Sequence, residues 1–268
     1  MSPWRAVALG LLQGVTEFLP VSSSGHLVLV PWALGWSEAS LLYDTVVHLG
    51  TCLAVVLYFW QDLVEVVQGA LRGLTGRRQG PEDDLGWLLV LSAVPGAVIG
   101  YLFEDLFESL FARPPYAAGF LLVTGALLLV SDRIGRRQRA LATIRWPDAI
   151  WAGLAQAAAI APGISRSGAT MSAGLLRGLN REAAARFAFL MSVPIILGAS
   201  ALQVVKAIGE ASVQGSWAEL GLGFVAAAVS GLLAIRLLLR LVRRHSLRPF
   251  AYYCWAAGLG GLILALVR

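Results

Sequence analysis

Charged residues are scarce in this chain. Asp, Glu, Lys and Arg make up 14% of its 268 residues, against 57% hydrophobic and a mean hydropathy of +0.72, where a soluble domain would carry roughly a quarter charged. That shortage excludes a soluble globular protein and predicts an integral membrane protein. Cysteine is scarce too. Cys52 and Cys254 lie far apart in apolar runs, outside any CxxC spacing, so they read as buried free thiols and say nothing about compartment. Also missing is a basic face interleaved with exposed aromatics. The formal charge of +5 comes from arginines in short loops between apolar runs, so no nucleic-acid partner is expected. Gln13 and Glu17 interrupt the first apolar run and no small-x-small site follows, so no cleaved signal peptide is expected.

What is there in abundance is apolar sequence of bilayer length. Crossing about 30 Å of hydrocarbon takes roughly 17–25 mostly apolar residues, and six stretches qualify: 42–60, 86–103, 116–132, 187–206, 217–239 and 249–267. Two more apolar regions, 3–36 and 146–176, are broken in the middle by Pro, Ser and Gly. Unwound backbone at membrane depth is tolerated only inside protein or beside a water-filled cavity, so both are expected to be re-entrant helical hairpins. Pro81-Glu-Asp-Asp84 is expected to start a helix, and 75–81 to be a solvated turn in the longest connector.

The two broken regions are copies. A gapless shift of 143 positions pairs Gly10, Leu11, Gln13, Ser22, Ser24, Gly25 and Gly35 with Gly153, Leu154, Gln156, Ser165, Ser167, Gly168 and Gly178. The copies differ in chemistry: Glu17 faces Ile160, Ser23 faces Arg166 and His26 faces Ala169. Each repeat (1–132 and 146–268) holds one hairpin and three spans. Three is odd, so the second copy must be inverted. Loop charge agrees. The loops 61–85, 133–147, 177–186 and 240–248 carry 15 of the 21 basic residues, which the positive-inside rule assigns to the cytoplasm. The expected architecture is therefore an all-α membrane domain of six transmembrane helices and two re-entrant hairpins, with inverted-topology repeats. Trp4, Trp32, Trp36, Trp60, Trp87, Trp146 and Trp217 fall near segment ends, as an interfacial belt requires.

Three constellations carry chemistry. Gln13 and Glu17 stand at i and i+4 and share one helix face. At hydrocarbon depth a carboxylate costs several kcal/mol unless it is paired, cation-bound or wet; the plainer reading is a helix-packing hydrogen bond. Pro20-Val-Ser22-Ser23-Ser24-Gly25-His26 ends one half-helix and starts another, where hydroxyls and free backbone N–H groups form an anion site. In Pro162-Gly163-Ile-Ser165-Arg166-Ser167-Gly168-Ala-Thr170 the arginine cannot snorkel and needs an anionic partner. Its planar fork suits phosphate oxygens, and a salt bridge to Glu17 is the plainer alternative. Asp44 and His48, also i and i+4, are held as outlying support. The combined site calls for a phosphate-bearing anion whose apolar part stays in the bilayer.

These residues resemble the undecaprenyl-diphosphate phosphatase family, the bacitracin-resistance phosphatases of bacterial membranes. An acid or amide four residues before a glutamate matches Gln13 and Glu17, with Gln13 standing where some members carry glutamate. PVSS-x-GH matches Pro20 to His26. PG-x-SRS-x-x-T matches Pro162, Gly163, Ser165, Arg166, Ser167 and Thr170. The resemblance covers the whole chain. It implies hydrolysis of undecaprenyl diphosphate to undecaprenyl phosphate and inorganic phosphate, which recycles the lipid carrier for peptidoglycan synthesis. It also implies a divalent cation, Mg²⁺ or Ca²⁺, held by Glu17 with Gln13 as a further ligand. By the same resemblance Arg166 holds the diphosphate, and Ser23 activated by His26 is the favoured nucleophile, with direct attack by His26 the alternative. Gln13, Ser22, Ser24, Gly25, Gly163, Ser165, Ser167 and Thr170 would line the substrate pocket. The setting implied is the bacterial cytoplasmic membrane, with the site opening to the outer, periplasmic face; a homodimer is left open. The rival reading is a lipid-phosphate transporter, since inverted repeats with broken helices are shared by many secondary transporters.

Overall fold

In a computed structural model, which describes residues 1–77, 79–209 and 216–268, the chain is all helical apart from one isolated bridge between Arg139 and Leu179. The described residues form twelve α-helices: α1 (Pro3–Phe18), α2 (Ser23–Leu34), α3 (Leu41–Tyr58), α4 (Trp60–Leu74), α5 (Leu85–Leu102), α6 (Glu104–Phe111), α7 (Pro114–Ile134), α8 (Trp146–Ala158), α9 (Arg166–Leu176), α10 (Arg181–Gly209), α11 (Trp217–Arg244) and α12 (Arg248–Val267). Six of them, α3, α5, α7, α10, α11 and α12, contain windows long and apolar enough to cross a bilayer. These match the six expected spans to within six residues at each end, and their outward faces are apolar. Val90, Val94 and Val98 of α5 and Val225, Val229 and Leu233 of α11 are all exposed, a surface suited to hydrocarbon and not to water. This is a multi-pass membrane protein. Trp4, Trp60, Trp87, Trp146 and Trp217 are exposed at or near helix starts, as amphipathic rings at an interface would be.

Two connectors hold more structure than the apolar pattern predicts. The expected 61–85 loop holds all but the first residue of the 15-residue α4, and α6 lies between the second and third expected spans. Pro81–Asp84 forms a 3-10 turn leading into α5. Arg78 of the expected 61–85 loop and residues 210–215, between the fourth and fifth expected spans, lie outside the described residues, and α10 runs on to Gly209.

The four remaining helices, of 16, 12, 13 and 11 residues, are shorter than the roughly 20 residues a full span needs. They form two pairs, α1–α2 and α8–α9, each bent at a polar turn. Packing is reciprocal between the chain's halves. Helix α1 lies on α11 while α8 lies on α5, α3 meets α11 while α10 meets α5, and α3–α10 and α7–α12 close the two sides. Small residues set these approaches: a methyl at Gly10 would come within 2.5 Å of the Gly223 carbonyl oxygen, and one at Gly258 within 2.7 Å of that of Ala118. Gly125, Gly223, Gly231 and Gly261 likewise sit at close helix contacts. The main core gathers Phe18, Phe59, Phe187 and Phe189 with Leu and Ala from several helices. Phe18 and Phe189 meet edge to face at 5.4 Å, which anchors the end of α1 next to Glu17.

One arginine loop is structural. Arg139 donates to both carboxylate oxygens of the buried Asp148 at 3.1 and 2.7 Å and to the carbonyls of Thr143 and Arg177. Arg177 adds a 2.8 Å bond to the same carboxylate. Burial pushes the Asp148 carboxyl up, but these two guanidinium groups outweigh it and hold it below the usual carboxylate range.

Asp148→Asn is expected to lower stability by on the order of 2–3 kcal/mol, read as a melting temperature in detergent lower by roughly 5 °C. Because the folded carboxyl titrates below its unfolded value, the wild-type advantage is full above the unfolded pKa. It fades as pH falls through the folded one, so the two melting curves should converge in acid. Gly163, at φ 95° with the Ala117 carbonyl oxygen 2.1 Å from where a methyl would sit, should not tolerate Gly163→Ala; a loss above about 2 kcal/mol is expected. Gly119, with nothing within 4 Å, should accept alanine with an unchanged melting temperature.

Candidate functional site

The two polar turns are built alike. Ser22 caps α2 by accepting from the Gly25 N–H at 3.2 Å, and Ser165 caps α9 by accepting from the Gly168 N–H at 3.0 Å. In each, the capping hydroxyl also meets the serine two residues on at 3.2 Å, Ser24 in one and Ser167 in the other. Both copies also place a glycine in the left-handed region after the second helix, Gly35 at φ 65° and Gly178 at φ 87°. The turns differ in where they bend: Ser22 itself takes φ 70°, whereas in the second copy Gly163 carries the positive φ. A serine held there is strained backbone of the kind that clusters at functional sites.

The turns touch. A methyl on Gly25 would lie 2.9 Å from the Gly163 Cα, and the Ser167 hydroxyl donates to the Leu19 carbonyl at 3.2 Å. Thr124 of α7 clamps the second turn from behind, donating to the Gly163 carbonyl at 2.8 Å and accepting from the Ser165 N–H at 3.0 Å. No sequence signal marked Thr124, because its partners are about 40 residues away.

Glu17 sits at the centre, buried at the end of α1. Its Oε1 accepts from Arg166 Nη2 at 2.5 Å. Its Oε2 accepts from the Ser23 hydroxyl and from Gln13 Nε2 at 3.1 Å. His48 Nε2 lies 4.0 Å from the same oxygen, closer than a merely outlying residue. Its Nδ1 bonds the Asp44 backbone carbonyl at 2.7 Å, which leaves Nε2 as the nitrogen facing the carboxylate. Gln13, Glu17, Ser23 and Arg166 are thus brought into one cluster, and the salt bridge considered from sequence exists. Thr170 is turned to its own helix, donating to the Arg166 carbonyl at 2.7 Å.

His26 is near but differently engaged. Its Nδ1 bonds the Ser22 carbonyl at 2.7 Å and its Nε2 the Tyr253 hydroxyl of α12 at 2.8 Å. The hydrogen bond of Ser23 runs to Glu17, so the expected Ser23–His26 pair is not formed in this arrangement. The His26 ring folds back along the first helical turn to the Ser22 carbonyl, which also accepts the His26 backbone N–H at 3.2 Å. Tyr253 was missed, since nothing local sets it apart from other aromatics in a span.

Chemically, the cluster offers a hydroxyl on a carboxylate, a guanidinium, and two helix N-termini whose free N–H groups and dipoles favour an anion. Among the described residues no group of three or more His, Cys, Asp or Glu could hold a metal ion. Beside the Glu17 carboxylate, however, Gln13 Oε1 is buried without a hydrogen-bond partner. These are adjacent hard oxygen donors, the kind that Mg²⁺ or Ca²⁺ takes together with phosphate oxygens. Two cavities of about 360 and 340 Å³ lie elsewhere, lined by ion pairs such as Arg72–Asp83 and Arg139–Asp148.

Comparison with known proteins agrees with the motifs. The family model described as "Bacitracin resistance protein BacA" matches residues 6–260. The chain is 47% identical over 271 aligned positions to a Rubrobacter xylanophilus protein, covering 98% of this chain and 97% of the other. It is 44% identical over 268 positions to one from Desulforudis audaxviator, covering all of both, and 43% identical over 264 to one from Geobacter metallireducens, covering 98% of each. Each of these three is named undecaprenyl-diphosphatase. With a whole-length family match and relatives of this identity and coverage, the chain belongs to the bacitracin resistance protein BacA family.

Proposed function

We propose that this protein is an undecaprenyl-diphosphatase, cleaving undecaprenyl diphosphate to undecaprenyl phosphate and inorganic phosphate and so returning the lipid carrier to peptidoglycan synthesis. The observation that carries the reading is the meeting of Glu17 and Ser23 from one turn with Arg166 from the other, within a family whose cited relatives bear that name. A carrier that only cradled an anion would have no use for a hydroxyl placed on a carboxylate.

In the proposed reaction the diphosphate takes the place of Glu17 on the Arg166 fork, which matches two phosphate oxygens and stabilises charge building on the transferring phosphoryl group. The N-terminal N–H groups of α2 and α9, with Ser22, Ser24, Gly25, Gly163, Ser165 and Ser167 around them, line the phosphate pocket, while Thr170 steadies the first turn of α9 behind it. Ser23 Oγ attacks the terminal phosphorus while its proton passes to Glu17 Oε2. The bond to the bridging oxygen breaks, and undecaprenyl phosphate leaves with that oxygen. The leaving phosphate carries off the proton from Glu17; water then attacks the phosphoserine as the freed carboxylate takes its proton, the P–Oγ bond breaks, and Glu17 returns that proton to Ser23 Oγ with release of phosphate. A divalent cation held by Glu17 and Gln13 would supply neutralisation of phosphate charge.

The setting we propose is a single membrane domain in the bacterial inner membrane. It has halves 1–132 and 146–268 in inverted orientation, re-entrant α1–α2 and α8–α9 hairpins, and a site open to the periplasmic side. The reciprocal packing of the halves and the loop charge asymmetry support this.

Purified protein should release phosphate from a polyprenyl diphosphate. Chelation should stop the reaction, and Mg²⁺ or Ca²⁺ should restore it. Arg166→Lys, which keeps the charge but loses the fork, should retain the wild-type melting temperature while phosphate release falls roughly 10²–10³-fold. Normal turnover by that variant would remove Arg166 from the mechanism. Wild-type protein that exchanges lipid phosphate across liposomes without hydrolysis would replace the phosphatase with the transporter.

A further inference from the structure

The mechanism above leaves His26 without a task, although it is buried beside the serine cluster with only 6% of its surface exposed. Both ring nitrogens are held. A carbonyl can only accept, so Nδ1, 2.7 Å from the Ser22 carbonyl, must carry the proton. In the neutral ring Nε2 is then the bare nitrogen, and the Tyr253 hydroxyl at 2.8 Å donates to it. The phenol and imidazole rings lie nearly parallel, 8° apart with centroids at 5.6 Å, which limits rotation of the imidazole about its own axis. Tyr253 belongs to α12, beyond the last site motif by more than 80 residues. Its ring is 48% exposed, so it closes His26 off on the outward side of the bundle.

From this geometry we propose that Tyr253 is a positioning residue of the active site. It fixes the tautomer and orientation of His26, and through the Nδ1–H bond it steadies the Ser22 carbonyl in the turn that presents Ser23. Ser22 is held at φ 70°, a conformation a serine keeps only when its surroundings impose it. The chain Tyr253–His26–Ser22 imposes it from one side and the Ser22 hydroxyl, capping Gly25, from the other. The consequence is specific: removing the phenol oxygen should disturb turnover through the histidine, with substrate binding little changed, because Arg166 and the N-terminus of α9 are not touched.

This inference rests on the phosphatase reading for its kinetic arm only. Tyr253→Phe keeps the ring and deletes the hydroxyl. In detergent-purified protein it should lower kcat about tenfold, the equivalent of one hydrogen bond, with KM within about twofold. In protein labelled with ¹⁵N-histidine, the Nε2 resonance of His26, assigned by loss in His26→Gln, should be that of an unprotonated, hydrogen-bonded nitrogen and should shift in Tyr253→Phe. An unchanged kcat in a folded Tyr253→Phe would overturn the proposal. So would a lowered kcat with the His26 resonances unmoved, since that is mere structural damage. Should Tyr253→Phe fail to fold, the wild-type spectrum decides alone: a protonated Nε2 with a bare Nδ1 overturns the assignment, and the reverse upholds it. If wild-type protein hydrolyses nothing, the phosphatase reading falls while the resonance shift still judges the contact.

Discussion

The ion pair between Glu17 and Arg166 joins residues 149 positions apart, and the rest of the structure can be understood as the means of making that contact within a membrane protein. Neither charge stands well alone there, because the Glu17 side chain is 6% and that of Arg166 19% exposed, which leaves little water to replace the lost hydration. Each tip therefore depends on the other. Glycine at the crossing point lets the two turns approach to backbone contact, Thr124 clamps one of them, and the Phe18–Phe189 contact pins the other. A buried ion pair by itself is weak support for stability, since desolvation offsets most of its Coulomb gain. Its value here is as an exchangeable bond: a guanidinium already largely desolvated and aimed at one anion can accept another.

The duplication explains why the site is lopsided. Both copies keep the residues that build a helix-capping polar turn, and the caps superimpose in their chemistry down to the serine two residues beyond. At Gln13 the first copy has an amide bonded to Glu17, but its counterpart Gln156, lacking an acid at position 160, has both amide atoms buried without a partner. One copy thus supplies carboxylate and hydroxyl and the other supplies the fork, a division of labour that a shared turn allows because only the side chains need to diverge.

Much of this was legible in the sequence, and for a physical reason. A bilayer imposes length and apolarity on any span, so six helices could be placed by composition alone, and the same cost makes a buried glutamate or arginine conspicuous. Where the sequence reading failed, the bilayer criterion itself was the cause. Helix α4 carries apolar residues at Leu63, Val66, Val67, Ala70, Leu71 and Leu74 at helical spacing, but Asp62, Glu65 and Arg72 make it too polar to cross, and it was passed over as a connector. An amphipathic helix of that kind need not cross. The site's long-range partners were illegible for a different reason. Thr124, Tyr253 and the approach of His48 to Glu17 depend on which helices pack together, and no spacing along the chain encodes that.

The carboxylate's other partners bear on how the pair could open. If a diphosphate takes Arg166, Glu17 loses its strongest partner while still buried, a state that would be prohibitive for a carboxylate with nothing else around it. It has something else: the Ser23 hydroxyl, the Gln13 amide and, 4.0 Å away, the His48 imidazole. Hydrogen bonds to an ionised group each contribute about 1.5–3 kcal/mol, so two of them offset much of what the guanidinium takes with it. They leave the carboxylate short of full compensation, which makes it a better proton acceptor than it was in the resting pair. In the proposed reaction, substrate binding would therefore turn Glu17 from the counter-ion of Arg166 into the base for Ser23, with no movement beyond the exchange of one anion for another on the arginine.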